Sequence, residues 1–391
     1  MRSIKEVNVS GKRVLVRCGF DIPVDDQGFI LDDKRIVESL PTIKYLLEKK
    51  AKIILCGHNG RPKGKLIPRL SMDTVAKRLS SLLQRSVLKL NDCVGSQVES
   101  KVRQMAPGDI LLLENLRFHA EEQNNDSSFA KQLASLADLF VQDAYNNAHH
   151  SDVSMVLLPK FLPSYVGLSL EKELKYMQHL TQNPLRPYIA IIGGAKAEKL
   201  PVIKNLLDKV DKIIIGGVIA NTFLKAKGID IAKSKFDEET LSLAKKFIEH
   251  EKIVLPVDVR VGDKWDVSTE AQVADLSTIP KGFMIMDIGP QTVLEYTTLL
   301  QSTKTVVWCG PIGAFELPAF STGTKALAEC LANLKATTII GGGDSADAVD
   351  QLGLASKMTH VSVGGGATLA ILAGKELPAI KALEENEKLF G

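Results

Sequence analysis

The chain has 391 residues, of which 45% are hydrophobic and 24% are charged, as in ordinary soluble globular proteins. A single hydrophobic core rarely grows to this length, so we expect two domains. The 49 basic and 46 acidic residues almost cancel and form no basic block, which excludes the charge pattern of a typical nucleic-acid-binding protein.

The cysteines indicate a reducing compartment. They are widely spaced and contain no CxxC pair, so the sequence predicts reduced thiols rather than disulfides or a zinc site. Their positions are Cys18, Cys56, Cys93, Cys309 and Cys330. The first residues lack the apolar core of a signal peptide, and no apolar run is long enough to cross a membrane. We therefore expect a cytoplasmic protein.

The first half of the chain alternates short apolar runs with amphipathic segments. Residues 14–16 predict a strand, and Asp33 predicts the start of a helix, which Pro41 should kink or restart. A second helix is predicted from Ser71. Further strands are predicted at 53–55, 110–113 and 139–141. Strands of this kind, buried on both sides and separated by helices, predict a parallel sheet with right-handed crossovers.

The pattern changes between Pro159 and Pro187, where several prolines bracket a helical segment at 170–180. We predict that this segment connects the two domains. Beyond it, strands are predicted at 188–192, 213–215, 253–255, 284–286, 306–308 and 338–340. Several of these strands end in glycine, and ligands bind beyond the carboxyl ends of strands in open α/β sheets. The second half therefore predicts a ligand-binding edge.

The string at 339–347 is the strongest candidate for that edge. A β-branched run ends in three glycines, and Asp344 and Ser345 then open a segment with helical spacing. A tight glycine turn before a helix N-terminus binds phosphate, and Asp344 could hold a divalent cation that bridges phosphates. The alternative is a glycine-rich turn in which Asp344 and Ser345 only cap the helix.

Basic residues follow the strands of the first half. Arg61, in the string Gly-His-Asn-Gly-Arg-Pro at 57–62, could bind a phosphate or carboxylate, with His58 as a second donor. The alternative is an exposed turn with solvated side chains. Arg117 also follows a predicted strand, where it could bind an anion or simply pair with Glu114 on the surface.

The second half carries two further candidate strings. The residues at 193–199 do not have Walker A spacing, but Lys196 and Lys199 could both reach a nucleotide phosphate; the alternative is a pair of solvated surface lysines. Glu316 ends a rare string at 308–316 and could accept hydrogen bonds from ribose hydroxyls or be solvated. A basic pocket and a glycine-lined phosphate site together favour phosphoryl transfer to a small anionic acceptor.

Read in order, these strings resemble those of the phosphoglycerate kinase family across essentially the whole chain. The match rests on the strings at 17–23, 57–62, 113–119, 143–149, 193–199, 287–290, 307–316, 341–344 and 364–366. The resemblance implies an α/β fold of two Rossmann-like three-layer domains with parallel sheets, joined by an interdomain helix and facing across a cleft. The implied parts are an acceptor domain at 1–168, the helix at 169–182, a nucleotide-binding domain at 183–375 and a segment at 376–391 that returns to the first domain.

The same resemblance implies a reaction. A phosphoryl group would pass reversibly between 1,3-bisphosphoglycerate and MgADP, giving 3-phosphoglycerate and MgATP in glycolysis and gluconeogenesis. It also implies a cytoplasmic monomer that closes by hinge bending, uses Mg²⁺ with ATP or ADP, and has no nucleic-acid or membrane partner.

Residue roles follow from the matched positions. Arg35 would neutralise the transferring phosphoryl group, with Lys196 and Gly343 also at the catalytic centre. The implied acceptor-binding residues are Gly19, Phe20, Asp21, Arg35, His58, Asn59, Gly60, Arg61, Arg117, His149 and His150. The implied nucleotide-binding residues are Gly194, Lys196, Lys199, Gly289, Pro311, Glu316, Gly342, Gly343, Asp344 and Ser345, and Asp344 would also bind the magnesium ion.

Several positions depart from the family's pattern, and most of the serious changes lie in the acceptor half. The family's string Arg-x-Asp-Phe-Asn-x-Pro appears here at 17–23, where Gly19 lacks the expected carboxylate and Asp21 brings a negative charge in place of an amide. The family's His-Arg pair, after the string Asp-Ala-Phe-Gly-Thr-Ala, appears as His149 and His150. An imidazole thus replaces a guanidinium.

Other departures are a leucine replaced by Asn59, a glycine by Val218 and an asparagine by Cys309. A lost hydrogen bond to a charged group typically costs about 1.5–3 kcal/mol. Two alternatives to an active phosphoglycerate kinase therefore remain open: a non-catalytic nucleotide-binding descendant of this fold, and a kinase for a different small acid.

Overall fold

The computed structural model describes residues 1–195 and 199–391. Contacts divide the chain into two compact units. Unit 1 contains Met1–Lys175 and Glu376–Gly391, and unit 2 contains Tyr176–Lys375. Within the described ranges, every helix is too short or too polar to cross a membrane.

Unit 1 is built on a parallel sheet. Its strands are β1 (Arg13–Arg17), β2 (Lys52–Cys56), β3 (Leu88–Lys89), β4 (Ile110–Leu112), β5 (Leu139–Gln142) and β6 (Ser164–Val166). Their order across the sheet is β3-β4-β2-β1-β5-β6, with parallel pairing throughout. The strands predicted in this half are all present, whereas β3 and β6 are too short to produce a clear apolar run. The central strand β1 therefore lies between β2 and β5.

Helices cover both faces of this sheet. They are α1 (Lys34–Glu48), α2 (Asp73–Leu83), α3 (Ser96–Arg103), α4 (Ala120–Gln123), α5 (Ser127–Ser135) and α6 (Val153–Val156). Successive strand residues point to opposite faces, so Val14 and Val16 pack with Ile36 of α1 in one apolar cluster. Leu15 packs with Phe129 of α5 in the other cluster. The result is a three-layer unit.

The first two helices differ from the sequence expectation in detail. Helix α1 runs without interruption through Pro41, so the predicted restart is wrong. Its buried face, which includes Leu40 and Ile43, outweighs the hydrogen bond that proline cannot make. Helix α2 begins at Asp73 rather than Ser71, because Ser71 has an extended backbone and donates its hydroxyl to Glu114.

The boundary between the two units lies inside helix α7 (Leu168–Gln182). The strands that follow are β7 (Tyr188–Ile192), β8 (Lys212–Ile215), β9 (Ile253–Val254), β10 (Asp258–Gly262), β11 (Gln272–Asp275), β12 (Met284–Ile288), β13 (Thr305–Cys309), β14 (Thr337–Gly341) and β15 (His360–Val361). The helices are α8 (Leu200–Leu206), α9 (Gly217–Ala226), α10 (Glu238–Phe247), α11 (Pro290–Leu300), α12 (Thr322–Asn333), α13 (Gly343–Gln351) and α14 (Gly365–Leu372).

Unit 2 contains a second parallel sheet in the order β15-β14-β13-β7-β8-β9. A separate antiparallel sheet has the order β11-β10-β12. The strand predicted at 284–286 therefore exists, but it does not belong to a parallel sheet. Strand β11 is exposed except at Ala274, and such one-sided burial is typical of antiparallel rather than parallel sheets.

The last helix, α15 (Pro378–Phe390), packs against unit 1. Its Asn386 side chain is 1% exposed and links α15 to the segment 159–162 and to strand β6. The amide nitrogen donates to Leu162 O over 2.8 Å and also to Pro159 O. The amide oxygen accepts from Ser164 N over 2.9 Å, next to the start of β6.

Replacing Asn386 with alanine should destabilise unit 1. The change leaves the Ser164 amide and two backbone carbonyls without their partner, and we expect the free energy of unfolding to fall by about 1–3 kcal/mol. Urea unfolding of wild type and Asn386→Ala measures this. The exposed neighbour Glu385 is the control, because Glu385→Ala should change the value by about 0.5 kcal/mol or less. Equal effects of the two variants would contradict the prediction.

Candidate functional site

The acceptor-binding residues predicted from sequence lie on loops that follow adjacent strands of unit 1. The residues 19–21 follow β1, those at 58–61 follow β2, Arg117 follows β4, and His149 and His150 follow β5. These four strands are neighbours in the sheet, in the order β4-β2-β1-β5. Because parallel strands end at the same edge, the sheet brings the four loops together.

A buried arginine orients His58. Arg17 is completely buried and its guanidinium donates to His58 Nδ1 over 2.8 Å and to Ser154 Oγ over 2.8 Å. Since Nδ1 accepts, the imidazole proton lies on Nε2. Burial, followed by the positive charges of Arg17 and Arg117, holds the pKa of His58 well below its usual value. His58 is therefore a neutral residue that offers one N–H.

The negative charge of Asp21 is neutralised locally. Asp21 Oδ1 accepts from the Gly60 amide over 2.9 Å, and its Oδ2 lies 3.6 Å from Arg35 Nη1. The same guanidinium donates to the backbone oxygen of Asp21. The predicted catalytic arginine is thus held at the acceptor edge by the residue that departs from the family's pattern.

Arg117 is buried and does not pair with Glu114. Its guanidinium binds Asp152 Oδ2 over 2.9 and 3.3 Å and donates to Gly60 O over 3.3 Å. Glu114 instead binds Lys89 over 2.6 Å. The surface-pair alternative for Arg117 is therefore wrong.

The remaining acceptor candidates differ in exposure. Arg61 is exposed and forms no ion pair with any described residue, so its charge is available to an anion. Asn59 is 1% exposed, and its Nδ2 has no hydrogen-bond partner among the residues described. The Phe20 side chain belongs to the core cluster around Val16, so only the Phe20 backbone can face a ligand.

His150 does not replace a guanidinium as a cation. Its ring lies 4.1 Å from that of His149, centroid to centroid. Burial lowers the pKa of His150 to about 4, with further lowering by His149, Arg117 and Arg17 and an opposing effect of Asp152. The imidazole is therefore neutral at neutral pH.

Four of the ten nucleotide-binding candidates line one pocket in unit 2. Gly194, Pro311, Glu316 and Asp344 line it. Its apolar wall is formed by Val218, Leu224, Pro256, Val259, Trp265, Met286 and Ile312. An apolar wall with a few polar groups at its rim is typical of a small-molecule pocket.

The glycine turn after β14 forms the polar end of this pocket. Gly342 has a φ of 100°, a conformation that favours glycine, and it is the N-cap of α13. Gly343 and Asp344 are exposed, so the first turn of α13 is open to a ligand. Ser345 is buried: its hydroxyl donates to Gly341 O over 2.7 Å and accepts from Gly310 N over 3.2 Å. The capping alternative does not describe this turn, because Gly342 is the N-cap and Ser345 joins two strand ends.

Two other nucleotide candidates have structural contacts. Lys199 is 5% exposed and its ammonium donates to Gly193 O over 2.6 Å, so the solvated-surface alternative is wrong for this lysine. Gly289 is absent from the residues that line the pocket in the described structure. A β-carbon there would overlap the Asp258 carboxylate, which accepts from the backbone amide of Thr292 at the start of α11. Lys196 lies outside the described residues.

Sequence analysis did not identify several residues of these sites. Asp152 and Ser154 contact Arg117 and Arg17, yet they carry no motif of their own. Asn146 lies in a buried turn beside Gly19. Trp265, which is 62% exposed, lines the nucleotide-site pocket from a loop between β10 and β11. Only the order of strands in the sheet could have indicated Asp152 and Ser154, whereas Asn146 stands in the matched string at 143–149, at the position of the family's glycine.

Comparison with known proteins decides the family. Residues 4–375 match the family model described as phosphoglycerate kinase. The chain belongs to the phosphoglycerate kinase family. It is therefore a phosphotransferase, and the predicted α/β fold with parallel sheets in two domains is confirmed.

Relatives and solved structures support this assignment over the full length. A phosphoglycerate kinase from Pelotomaculum thermopropionicum is 47% identical over 388 residues and 98% of both chains, and one from Clostridium novyi is 48% identical over 394 residues, with 98% and 99% coverage. The structure of phosphoglycerate kinase from Coxiella burnetii is 39% identical, with a TM-score of 0.88 and 98% coverage of both chains. The structure from Pyrococcus horikoshii is 31% identical, with a TM-score of 0.90 and complete coverage of both chains.

Removing the His150 imidazole should alter the response of stability to acid. The folded pKa is about 4, against about 6.5 for an unfolded histidine, so the unfolded state binds more protons between these values. Stability is thus lost as the pH falls from 6.5 towards 4. We expect His150→Gln to become more stable relative to wild type at pH 4.5 than at pH 7.5, measured by urea unfolding midpoints. An equal difference at both pH values would contradict this.

Proposed function

We propose that this kinase binds a phosphorylated glycerate on unit 1 and an adenine nucleotide on unit 2. It transfers a phosphoryl group reversibly between 1,3-bisphosphoglycerate and MgADP, giving 3-phosphoglycerate and MgATP. The observation that carries the proposal is the convergence of cationic and neutral N–H donors at one edge of the unit 1 sheet.

The acceptor is an anion at both ends, and the donors suit it. Arg61 supplies a guanidinium that forms no ion pair with a described residue and can bind phosphate or carboxylate through two parallel N–H bonds. Arg117 supplies the remaining N–H groups of its Nη atoms, because Asp152 and Gly60 O occupy the others. His58 supplies a neutral N–H from Nε2, because Arg17 occupies its Nδ1. Asp152 holds Arg117 in place, so this cation needs little rearrangement to bind an anion.

Two regions of the unit 2 pocket suit the two parts of a nucleotide, the nucleoside and the phosphates. The apolar wall that includes Val218, Leu224 and Trp265 suits a base, and Glu316 at the rim can accept from ribose hydroxyls. The exposed N-terminus of α13 suits the phosphates, because unpaired backbone amides and the helix dipole attract anions.

A magnesium ion would be held by Asp344 together with phosphate oxygens of the nucleotide. The Asp344 carboxylate is exposed, lines the pocket and lies in the first turn of α13, and Mg²⁺ commonly binds one or two carboxylates plus substrate phosphates. When bound, the ion would offset negative charge on those phosphates. The donor set present therefore fits this ion.

The transfer step needs charge stabilisation and alignment rather than a protein nucleophile. Arg35 is the proposed residue that stabilises the phosphoryl group in flight, and Lys196, Lys199 and Gly343 are proposed to assist it on the nucleotide side. The thiols do not compete for this role: burial raises the pKa of Cys18, Cys56, Cys93 and Cys309.

The enzyme is proposed to act as a cytoplasmic monomer on small molecules alone, with neither nucleic acid nor membrane as partner. The acceptor and the nucleotide are proposed to bind different units. Turnover therefore requires a motion that brings the two substrates into contact. Hinge bending within each catalytic cycle is the proposed means.

A coupled assay with 3-phosphoglycerate and MgATP tests the reaction. We expect turnover by wild type and a decrease in kcat of roughly 100-fold or more in Arg35→Ala, the order found when a single transition-state donor is removed. Arg103 is the matched control, since it is 68% exposed and pairs only with Glu99 on the same helix. Arg103→Ala should keep wild-type kcat.

Nucleotide binding without turnover would refute the enzymatic proposal. Trp265 reports that binding directly, because it lines the pocket while the other tryptophan, Trp308, is completely buried. A change of tryptophan fluorescence with MgADP, lost in Trp265→Phe, would then identify a nucleotide-binding descendant. Turnover with another small acid, but not with 3-phosphoglycerate, would identify a different kinase.

Restoring a guanidinium at position 150 should strengthen acceptor binding. His150 is neutral in the free protein, whereas arginine stays charged and can form an additional charged hydrogen bond with the acceptor. We expect the apparent KM for 3-phosphoglycerate to fall by roughly tenfold in His150→Arg. The KM for MgATP is the internal control and should not change. An unchanged acceptor KM would show that position 150 does not contact the acceptor.

A further inference from the structure

At the acceptor edge of unit 1, the Asn146 side chain occupies the space that a side chain at position 19 would fill. A β-carbon added to Gly19 would overlap the carboxamide oxygen of Asn146 and lie 2.9 Å from its Cγ. Gly19 has an ordinary backbone conformation, since its φ is outside the range that favours glycine. The absence of a side chain at position 19 is therefore what admits the Asn146 carboxamide.

The sheet explains why these two residues meet. Gly19 follows β1, and Asn146 lies in the short helical turn Tyr145–Asn147 that follows β5. The two strands pair in parallel, with Arg17 opposite Gln142 at their carboxyl ends. Asn146 consequently enters the same edge as His58, whose strand β2 pairs with the other side of β1.

Three buried N–H donors at this edge have no partner among the described residues. They are His58 Nε2, Asn59 Nδ2 and Asn146 Nδ2. These side chains are 0%, 1% and 8% exposed. Buried polar groups in folded proteins are nearly always hydrogen-bonded, so an unsatisfied set of this kind indicates a ligand that completes it. These three atoms are donors, so acceptor oxygens of a ligand would complete them. The same turn also holds a buried acceptor without a hydrogen-bond partner among the described residues, Asn147 Oδ1, so a ligand that also carries a hydroxyl suits this edge.

We propose that Asn146 is an acceptor-binding residue that takes the position left empty at Gly19, and that the two residues function as a pair. This inference rests on the proposed function. A carboxamide offers both a donor NH₂ group and an acceptor oxygen. The proposed acceptor is a 2-hydroxy acid, whose carboxylate oxygen can accept from Nδ2 and whose hydroxyl can donate to Oδ1. Asn146 therefore supplies side-chain hydrogen bonds that Gly19, which has no side chain, cannot.

The isosteric variant Asn146→Asp tests the role of the donor. It preserves shape but replaces the NH₂ group with a negatively charged oxygen, which repels a carboxylate. We expect the KM for 3-phosphoglycerate to rise roughly tenfold or more, with kcat and the KM for MgATP nearly unchanged. Asn124→Asp is the matched control, because it makes the same chemical change at an exposed site of the same unit and should leave all three constants unchanged.

A reciprocal exchange tests the pair. Gly19→Asp alone should collide with Asn146, lowering the unfolding temperature and raising the acceptor KM. Adding Asn146→Gly should restore both values towards wild type, because it frees the shared volume. Strictly additive effects in this double-mutant cycle would show that the residues act independently and would overturn the pairing.

The outcomes separate this inference from the proposed function. If wild type turns over 3-phosphoglycerate but Asn146→Asp keeps the wild-type KM, only the role of Asn146 is overturned. If wild type shows no turnover, calorimetric titration with 3-phosphoglycerate alone decides: binding that weakens in Asn146→Asp supports the inference without catalysis. Absence of binding to wild type overturns both.

Discussion

The fully buried guanidinium of Arg17 fixes the hydrogen bonds at the proposed acceptor edge of unit 1. Arg17 binds His58 and Ser154, and Ser154 donates through its hydroxyl and its amide to Glu122. A buried charge is tolerated only when its polar atoms are hydrogen-bonded, and a hydrogen bond to a charged group typically contributes about 1.5–3 kcal/mol. This connected set determines which His58 nitrogen carries the proton. The neutral N–H donor of His58 is therefore Nε2, on the side of the ring away from Arg17.

The departures from the family's pattern are balanced by contacts nearby. Asp21 adds a charge, but the Gly60 amide and Arg35 compensate it. Gly19 lacks a side chain, and the Asn146 carboxamide occupies the space. Polar side chains therefore remain at this edge of the sheet despite the departures at positions 19 and 21. The change at His150 is different, because burial leaves this imidazole neutral and no cation replaces it at that position.

Local patterns in the sequence predicted the long, apolar strands of both parallel sheets. They also indicated Glu316 and Asp344 of the pocket, but not Asn221 or Asp287. They did not predict β11, because an exposed strand with polar residues resembles a loop, or β10, which is mostly buried although polar residues interrupt its apolar run. They also missed Asp152 and Asn146, whose roles depend on which strands are neighbours. The burial of single side chains was not predicted either: Phe20 lies in a motif string, and its side chain belongs to the core.

The packing of α15 has a consequence for the order in which the protein can be made. Asn386 completes the hydrogen bonds of residues near β6, yet the ribosome adds it after all of unit 2. Unit 2 is continuous in the chain and can fold as soon as it is synthesised, whereas unit 1 keeps polar groups around Ser164 unsatisfied until α15 emerges. Most of the first unit is thus translated before unit 2, yet its hydrogen bonds are completed only after unit 2 has been synthesised.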